Sequence, residues 1–151
     1  MKNHVLSITR TFKNVPPERV YMAWTDPDLV AQWYGPEGFT NTIHEMSVNV
    51  GGSYRITMQS PDGNKHSLRG RFIELNPPKK IVLTWQWENP ETSGNVGTQE
   101  TRVTVTFKKN GTGTEMRMVH DKFANDEQVS NHSMGWSSSF NKLDRTVSRN
   151  A

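Results

Sequence analysis

The chain has 151 residues, a mass of 17.2 kDa and no cysteine, which excludes disulfides, thiolate catalysis and cysteine-based zinc sites. Its 18 basic and 15 acidic residues leave a net charge of +3, but the two signs are interspersed, which argues against a nucleic-acid partner. No stretch approaches the roughly 18 apolar residues of a membrane span, and the opening MKNHVLSITRTF lacks the apolar segment of a secretory signal, so no membrane partner and a cytoplasmic location are expected.

Residues 5–12, VLSITRTF, place Leu6, Ile8, Arg10 and Phe12 on one parity and predict a first strand. Asn14, in a cap-like position, is followed by Pro16-Pro17-Glu18, which opens a short helix carrying Val20, Met22, Ala23 and Trp24. Asp26 as N-cap and Pro27 at the first helical position restart a second one, with Leu29, Val30 and Trp33, stopped by Gly35-Pro36. Trp33 and Tyr34 point about 100° apart on that helix, so they cannot share one narrow apolar stripe. Trp33 is in phase with Leu29 and Val30 and is expected to pack inward. Tyr34 is left to offer its ring to a rim and its hydroxyl to water or ligand.

From Phe39 onward the signals are those of strands and turns. Strands are expected at residues 42–50, 54–59, 67–75, 81–87, 101–107 and 115–120, punctuated by Gly51-Gly52, Ser60-Pro61-Asp62-Gly63-Asn64, Asn76-Pro77-Pro78-Lys79-Lys80 and Asn110-Gly111-Thr112-Gly113, with a polar loop over 89–98. The cationic pairs Lys79-Lys80 and Lys108-Lys109 fall beside such turns, as solvated hairpin ends do. The tail from Asn125 to Ser148 then changes period. Val129, Trp136, Phe140, Leu143 and Val147 fall within a stripe about 60° wide, flanked by His132 and Ser133, with Ser137, Ser138, Asn141, Asp144 and Arg145 behind.

The predicted order is one strand, two short helices, six strands in meander and a long helix, in one domain over residues 1–151. An antiparallel sheet with one apolar face needs a cover, and the last helix is the only large amphipathic element available for it. The fold class is therefore α+β, with a sheet of six to seven strands wrapped on the C-terminal helix.

Four pieces of the chain carry a resemblance that runs nearly from end to end. They are Trp24-Thr25-Asp26-Pro27 through Trp33-Tyr34-Gly35-Pro36; Gly51-Gly52-Ser53-Tyr54-Arg55; Pro77-Pro78-Lys79-Lys80-Ile81-Val82-Leu83-Thr84-Trp85; and Gly135-Trp136. In this order they resemble the activator of heat-shock protein 90 ATPase homologue-like family, within the START and Bet v 1 helix-grip (SRPBCC) superfamily. The resemblance implies a helix-grip fold with an internal, mostly apolar cavity between sheet and C-terminal helix. It also implies three kinds of activity: binding hydrophobic ligands, acting as a co-chaperone module, or, in cousins, cyclase and hydratase chemistry. One fold hosts many sites, so the residues have to decide among them.

The five histidines, at 4, 44, 66, 120 and 132, show no metal-ligand spacing, and neither a metal nor another cofactor is expected. Ser137-Ser138-Ser139 reads as the polar back of the last helix, and no G-x-S-x-G is present. His120 shares a strand face with Met116 and Met118. It is either a weak candidate for general acid–base work or a strand-end histidine bonded within the protein.

The positive signal is apolar: five Trp, six Phe and seven Met dominate a hydrophobic fraction of only 32%. The expected ligand-binding set is Trp33, Tyr54, Met58, Trp85, Met118, His120, His132, Trp136 and Phe140, taking an aromatic or lipid-like small molecule without turnover. A protein-interaction module that engages a chaperone or a second copy is one alternative. A cyclase- or hydratase-type enzyme using His120 is the other.

Overall fold

The computed structural model describes residues 4–88 and 97–149. Period-2 alternation produces seven strands: β1 (Leu6–Phe12), β2 (Thr40–Met46), β3 (Ser53–Gln59), β4 (Lys65–Asn76), β5 (Lys80–Trp87), β6 (Thr101–Asn110) and β7 (Gly113–Asp121). Between β1 and β2 lie two short helices, α1 (Pro17–Thr25) and α2 (Pro27–Trp33), and the chain ends in α3 (Asp126–Arg149). The strands form one antiparallel sheet in the order β1-β7-β6-β5-β4-β3-β2, so the α1–α2 pair connects its two opposite edges. Register shifts at Ile43/Glu45 and Phe72/Glu74 mark bulges, the usual means of bending a strand, and the sheet curves round α3 in a helix grip.

Along β6 the alternation is plain: Val103, Val105 and Phe107 are buried while Arg102 and Thr106 face outward. β5 lies mid-sheet and is buried from Ile81 to Trp85 on both parities. α3 brings Trp136, Phe140, Leu143 and Val147 to the core, each contributing about 1.5–3 kcal/mol of apolar burial. It packs against α2, α1 and β1. The densest part of the core is aromatic, with Trp24 edge-on to Trp33 at 4.7 Å and stacked on Trp136 at 5.7 Å.

Asp26 caps α2, its carboxylate accepting the Asp28 amide at 2.9 Å, with Pro27 beginning the helix. Asn14 does not cap α1. It sits in a turn at φ 61°, where its side-chain carbonyl accepts the Thr112 hydroxyl at 2.6 Å, and Pro16 occupies the cap position with no side-chain bond. The strand expected over 42–50 ends at Met46, because the turn begins at Ser47. There the Gly52 amide donates to the Asn49 carbonyl at 2.7 Å. Ser139 is buried rather than on the polar back of α3, its hydroxyl donating to the Gly135 carbonyl at 2.8 Å. Most of the expected 89–98 loop, residues 89–96, lies outside the described residues.

Candidate functional site

The stop after α2 builds the first wall of the site. Tyr34 leaves the helix with extended backbone, and Gly35 follows at φ 81°, a conformation that favours glycine. A Cβ on Gly35 would also lie 3.1 Å from the Phe39 Cβ and 3.3 Å from the Met58 sulfur, so a side chain there would add a tight contact to the backbone strain. Residues 34–39 are then fastened to α3. Lys142 Nζ shares its three N–H donors among the carbonyls of Tyr34, Gly35, Pro36 and Phe39 at 3.1, 3.2, 3.3 and 3.2 Å. The Glu37 amide donates to Ser138 Oγ at 2.8 Å, and Arg145 pairs with the Glu37 carboxylate at 2.6 Å. Burial lowers the pKa of Lys142, with Glu37 acting in the opposite direction.

This loop, the sheet and the first half of α3 line a partly open pocket of about 200 Å³. Its sheet side is Met58 on β3, His66 on β4, and Trp85 and Trp87 on β5; its helix side is Asn131, His132, Gly135, Trp136 and Ser139. Tyr34, Gly35, Pro36 and Phe39 close the third side. Trp85 and Trp136 meet at 4.8 Å between ring centres, and Tyr34 and Trp85 at 5.9 Å. An apolar cavity of about 150 Å³ holds a benzene, so this volume suits a single or small fused ring.

Two histidines, His132 in the pocket wall and His120 behind Trp136, are held in fixed tautomers by their partners. His132 Nδ1–H donates to the Gln128 carbonyl at 2.8 Å, leaving Nε2 to accept the Trp87 indole N–H at 3.0 Å. His120 Nδ1 accepts the Trp136 indole N–H at 3.0 Å, so its Nε2–H donates to Thr101 Oγ1 at 2.7 Å, and that hydroxyl donates to the Trp85 carbonyl at 2.9 Å. Burial pushes the His132 pKa down to about 4. Burial, reinforced by the neighbouring His132, pushes His120 well below the ordinary value. Both imidazoles are neutral, and all four ring nitrogens are engaged within the protein. The arrangement fixes two tryptophan rings and leaves no imidazole nitrogen of this pair free to exchange a proton with a bound molecule.

Of the nine residues expected from the sequence, Met58, Trp85, His132 and Trp136 come together at the pocket, and five lie elsewhere. Trp33, 0% exposed, is locked between α1 and α2, its indole N–H donating to the Ala23 carbonyl at 2.8 Å. Tyr54 pairs with Gly70 on β4, where a Cβ would fall 2.6 Å from the tyrosine oxygen, and its hydroxyl donates to the Thr84 carbonyl. Met118 is fully buried on β7, between Ile8 and Val105 on the flanking strands. His120 sits one layer behind Trp136, and Phe140 packs on Trp136 at 5.4 Å, deeper toward α1 and α2. The expected set lacked Gly35, Pro36, Phe39, His66 and Trp87 as wall residues, and on α3 it lacked Asn131, Gly135 and Ser139. The signal of the three on α3 was a four-residue spacing of small and polar side chains running beside its apolar stripe.

Among the described residues, no group of three His, Cys, Asp or Glu is placed to hold a metal, and no helix is long and apolar enough to cross a membrane. No curated protein matches the sequence. Solved structures do. A protein of Chromobacterium violaceum is 30% identical, with 95% of this chain and 96% of that one covered and a TM-score of 0.85. The AHSA1 protein of Silicibacter pomeroyi is 23% identical over 97% of this chain and 99% of its own, with a TM-score of 0.84. A protein of Arthrobacter aurescens, 23% identical over 96% of this chain and 86% of its own at a TM-score of 0.83, shares the same fold. The model of the activator of Hsp90 ATPase homolog 1-like proteins matches residues 14–148, and the chain belongs to that family.

Proposed function

We propose that the protein binds an uncharged aromatic small molecule in the pocket between β3–β5, the 34–39 loop and α3, without turning it over. The observation that carries this reading is Gly135. It lies inside a helix, where glycine costs about 1 kcal/mol relative to alanine. A Cβ built there meets nothing within 4 Å, so no close packing demands the missing side chain. What the glycine does is keep the pocket wall recessed beside Trp136. Trp, Tyr, Phe and Met make up most of the remaining walls, with His66, Asn131, His132 and Ser139 as the polar members, a lining suited to flat, mainly apolar surfaces. The fully engaged histidines support binding over acid–base chemistry.

The test is an NMR titration with naphthalene. Binding is expected to move the Trp87 and Trp136 indole resonances and the Gly135 amide, and to be lost in Gly135→Leu. Naphthalene binding that is unchanged in a folded Gly135→Leu protein, or no binding by the unsubstituted protein, contradicts the reading.

A further inference from the structure

The chain carries its lysine pairs at separate turns, and the fold brings those turns to one end of the sheet. The β4–β5 turn, the β6–β7 hairpin and the segment entering α1 all lie there. Hydrogen bonds fix the three pieces to one another. The Thr112 hydroxyl donates to the Asn14 side chain at 2.6 Å, and the buried Thr114 hydroxyl donates to the Val15 carbonyl at 2.7 Å. The Phe107 amide donates to the Lys79 carbonyl at 2.9 Å.

Together they line an open groove of about 500 Å³. Pro16, Pro17, Pro78 and Phe107 supply its apolar lining, and Lys79, Lys108 and Lys109 its positive charge. All three lysines are exposed, and none forms an ion pair among the described residues. Lys80, by contrast, reaches Glu74 at 3.6 Å. Glu18 is the one acidic side chain in the lining, and Glu115, opposite Lys108 in the β6–β7 register, makes no ion pair with it. The groove is therefore cationic and unneutralised.

The layout of this charge narrows its partner. Successive strand residues point to opposite sides, so Lys108 and Lys109 flank the groove, and Lys79 stands across it on the adjoining turn. Charge spread along a track matches carboxylates spaced on an extended chain better than it matches one phosphate. A lipid surface is entered by exposed apolar side chains. Those of this protein, Val5, Met22, Val50, Ile73 and Met134, all lie outside the lining. Single-stranded nucleic acid stacks on open aromatic faces, and the one aromatic ring here, Phe107, is 5% exposed. Proline rings offer apolar surface with no N–H to leave unpaired and little conformational freedom to lose.

We propose that this groove docks an acidic, extended segment of a partner protein. Its carboxylates pair with Lys79, Lys108 and Lys109, and an apolar side chain between them rests on the prolines. The surface shares no residue with the aromatic pocket, so its use is independent of any ligand there. Contact led by exposed charge over a small area makes for weak, rapidly exchanging binding.

The probe is a fluorescent peptide of glutamates flanking a central phenylalanine, followed by anisotropy and by amide NMR. Binding is expected to weaken as salt is raised, and to move the Lys79, Lys109, Thr112 and Gly113 amides while leaving that of Gly135 in place. Each of Lys79→Gln, Lys108→Gln and Lys109→Gln should weaken it about two- to fivefold, the range of one exposed ion pair, and the triple variant about tenfold or more. Lys65 opens β4 and Lys122 follows β7, so both are exposed at the opposite end of the sheet. Lys65→Gln combined with Lys122→Gln should leave binding within about twofold. Should the triple variant unfold, the single variants and the amide shifts decide. No binding by the unsubstituted protein, equal binding by the triple variant, or equal binding of a peptide with glutamine for glutamate overturns the assignment. Phosphatidylserine vesicles or oligothymidine that bind the groove more tightly than the peptide overturn it too, in favour of a membrane or a nucleic acid.

Discussion

The Trp136 indole N–H donates to His120 Nδ1 at 3.0 Å, so a wall residue of the pocket on α3 is tied to β7 by one buried bond. That bond requires a neutral histidine, because an imidazolium has no lone pair to accept with. The same holds for Trp87 and His132, linked at 3.0 Å. Ring orientation in the pocket is therefore coupled to the protonation of imidazole nitrogens that are already engaged within the protein.

A pH dependence of stability follows. The folded-state pKa of His132 is lowered to about 4 from the ordinary 6.5, so as pH falls the unfolded chain takes up its proton first. Its stabilising contribution is complete above about pH 6.5 and is lost on acidification, the loss reaching about 3 kcal/mol by pH 4. His120 shifts in the same direction. Urea unfolding between pH 7.5 and 5, above the range where carboxylates titrate, should show stability declining. A flat profile would mean that the imidazoles are not buried neutral.

Replacing His120 with Phe keeps much of the volume but strands the Trp136 N–H. The expected loss is about 1–3 kcal/mol by denaturant unfolding, the cost of one orphaned buried donor. Unchanged stability would remove the His120–Trp136 bond from any structural role.

Lys142→Met tests the fastening of the 34–39 loop. Four carbonyls lose their common donor while the aliphatic stem is retained. Amide exchange of Glu37 and Phe39, whose N–H groups are bonded to Ser138 Oγ and the Pro36 carbonyl, should accelerate by at least about tenfold, with a stability loss of about 1–3 kcal/mol. Exchange confined to its original rate would show that Ser138 and Arg145 hold the loop unaided.

Gly135→Ala separates pocket from fold. Alanine should raise stability by up to about 1 kcal/mol, since the position is helical and the added methyl meets no atom within 4 Å. Destabilisation would show that the helix needs glycine there for packing.

Most of the architecture was legible because each element carried its own period: alternation in 101–107, a narrow stripe in 129–147, and Asp26-Pro27 at a helix start. The seven strands, the helix pair and the covering helix all follow from such local signals. The pocket was half legible. Met58, Trp85 and Trp136 lie on apolar faces that any reading would turn inward, yet so do Met118 and Phe140, which ended in the solid core. Parity says which side of the sheet a residue occupies, not whether a ring or empty space lies opposite. Tyr54 illustrates the gap: it fails to reach the pocket because Gly70, on the adjacent strand, lets its ring lie flat across the sheet. Lys142 and Gly35 shape the site through contacts from about 20 to more than 100 residues away, which no local pattern records.

The most direct test is thermal unfolding of the unsubstituted protein and of Gly135→Leu, with and without naphthalene at about one hundred times its dissociation constant. Ligand linkage at that ratio contributes about 2.7 kcal/mol, which for a chain of this length raises Tm by about 5–10 °C. The expected result is that rise in the unsubstituted protein and none in a cooperatively folding Gly135→Leu variant. The same rise in both proteins, or in neither, would contradict a binding site at the Trp85–Trp136 pocket.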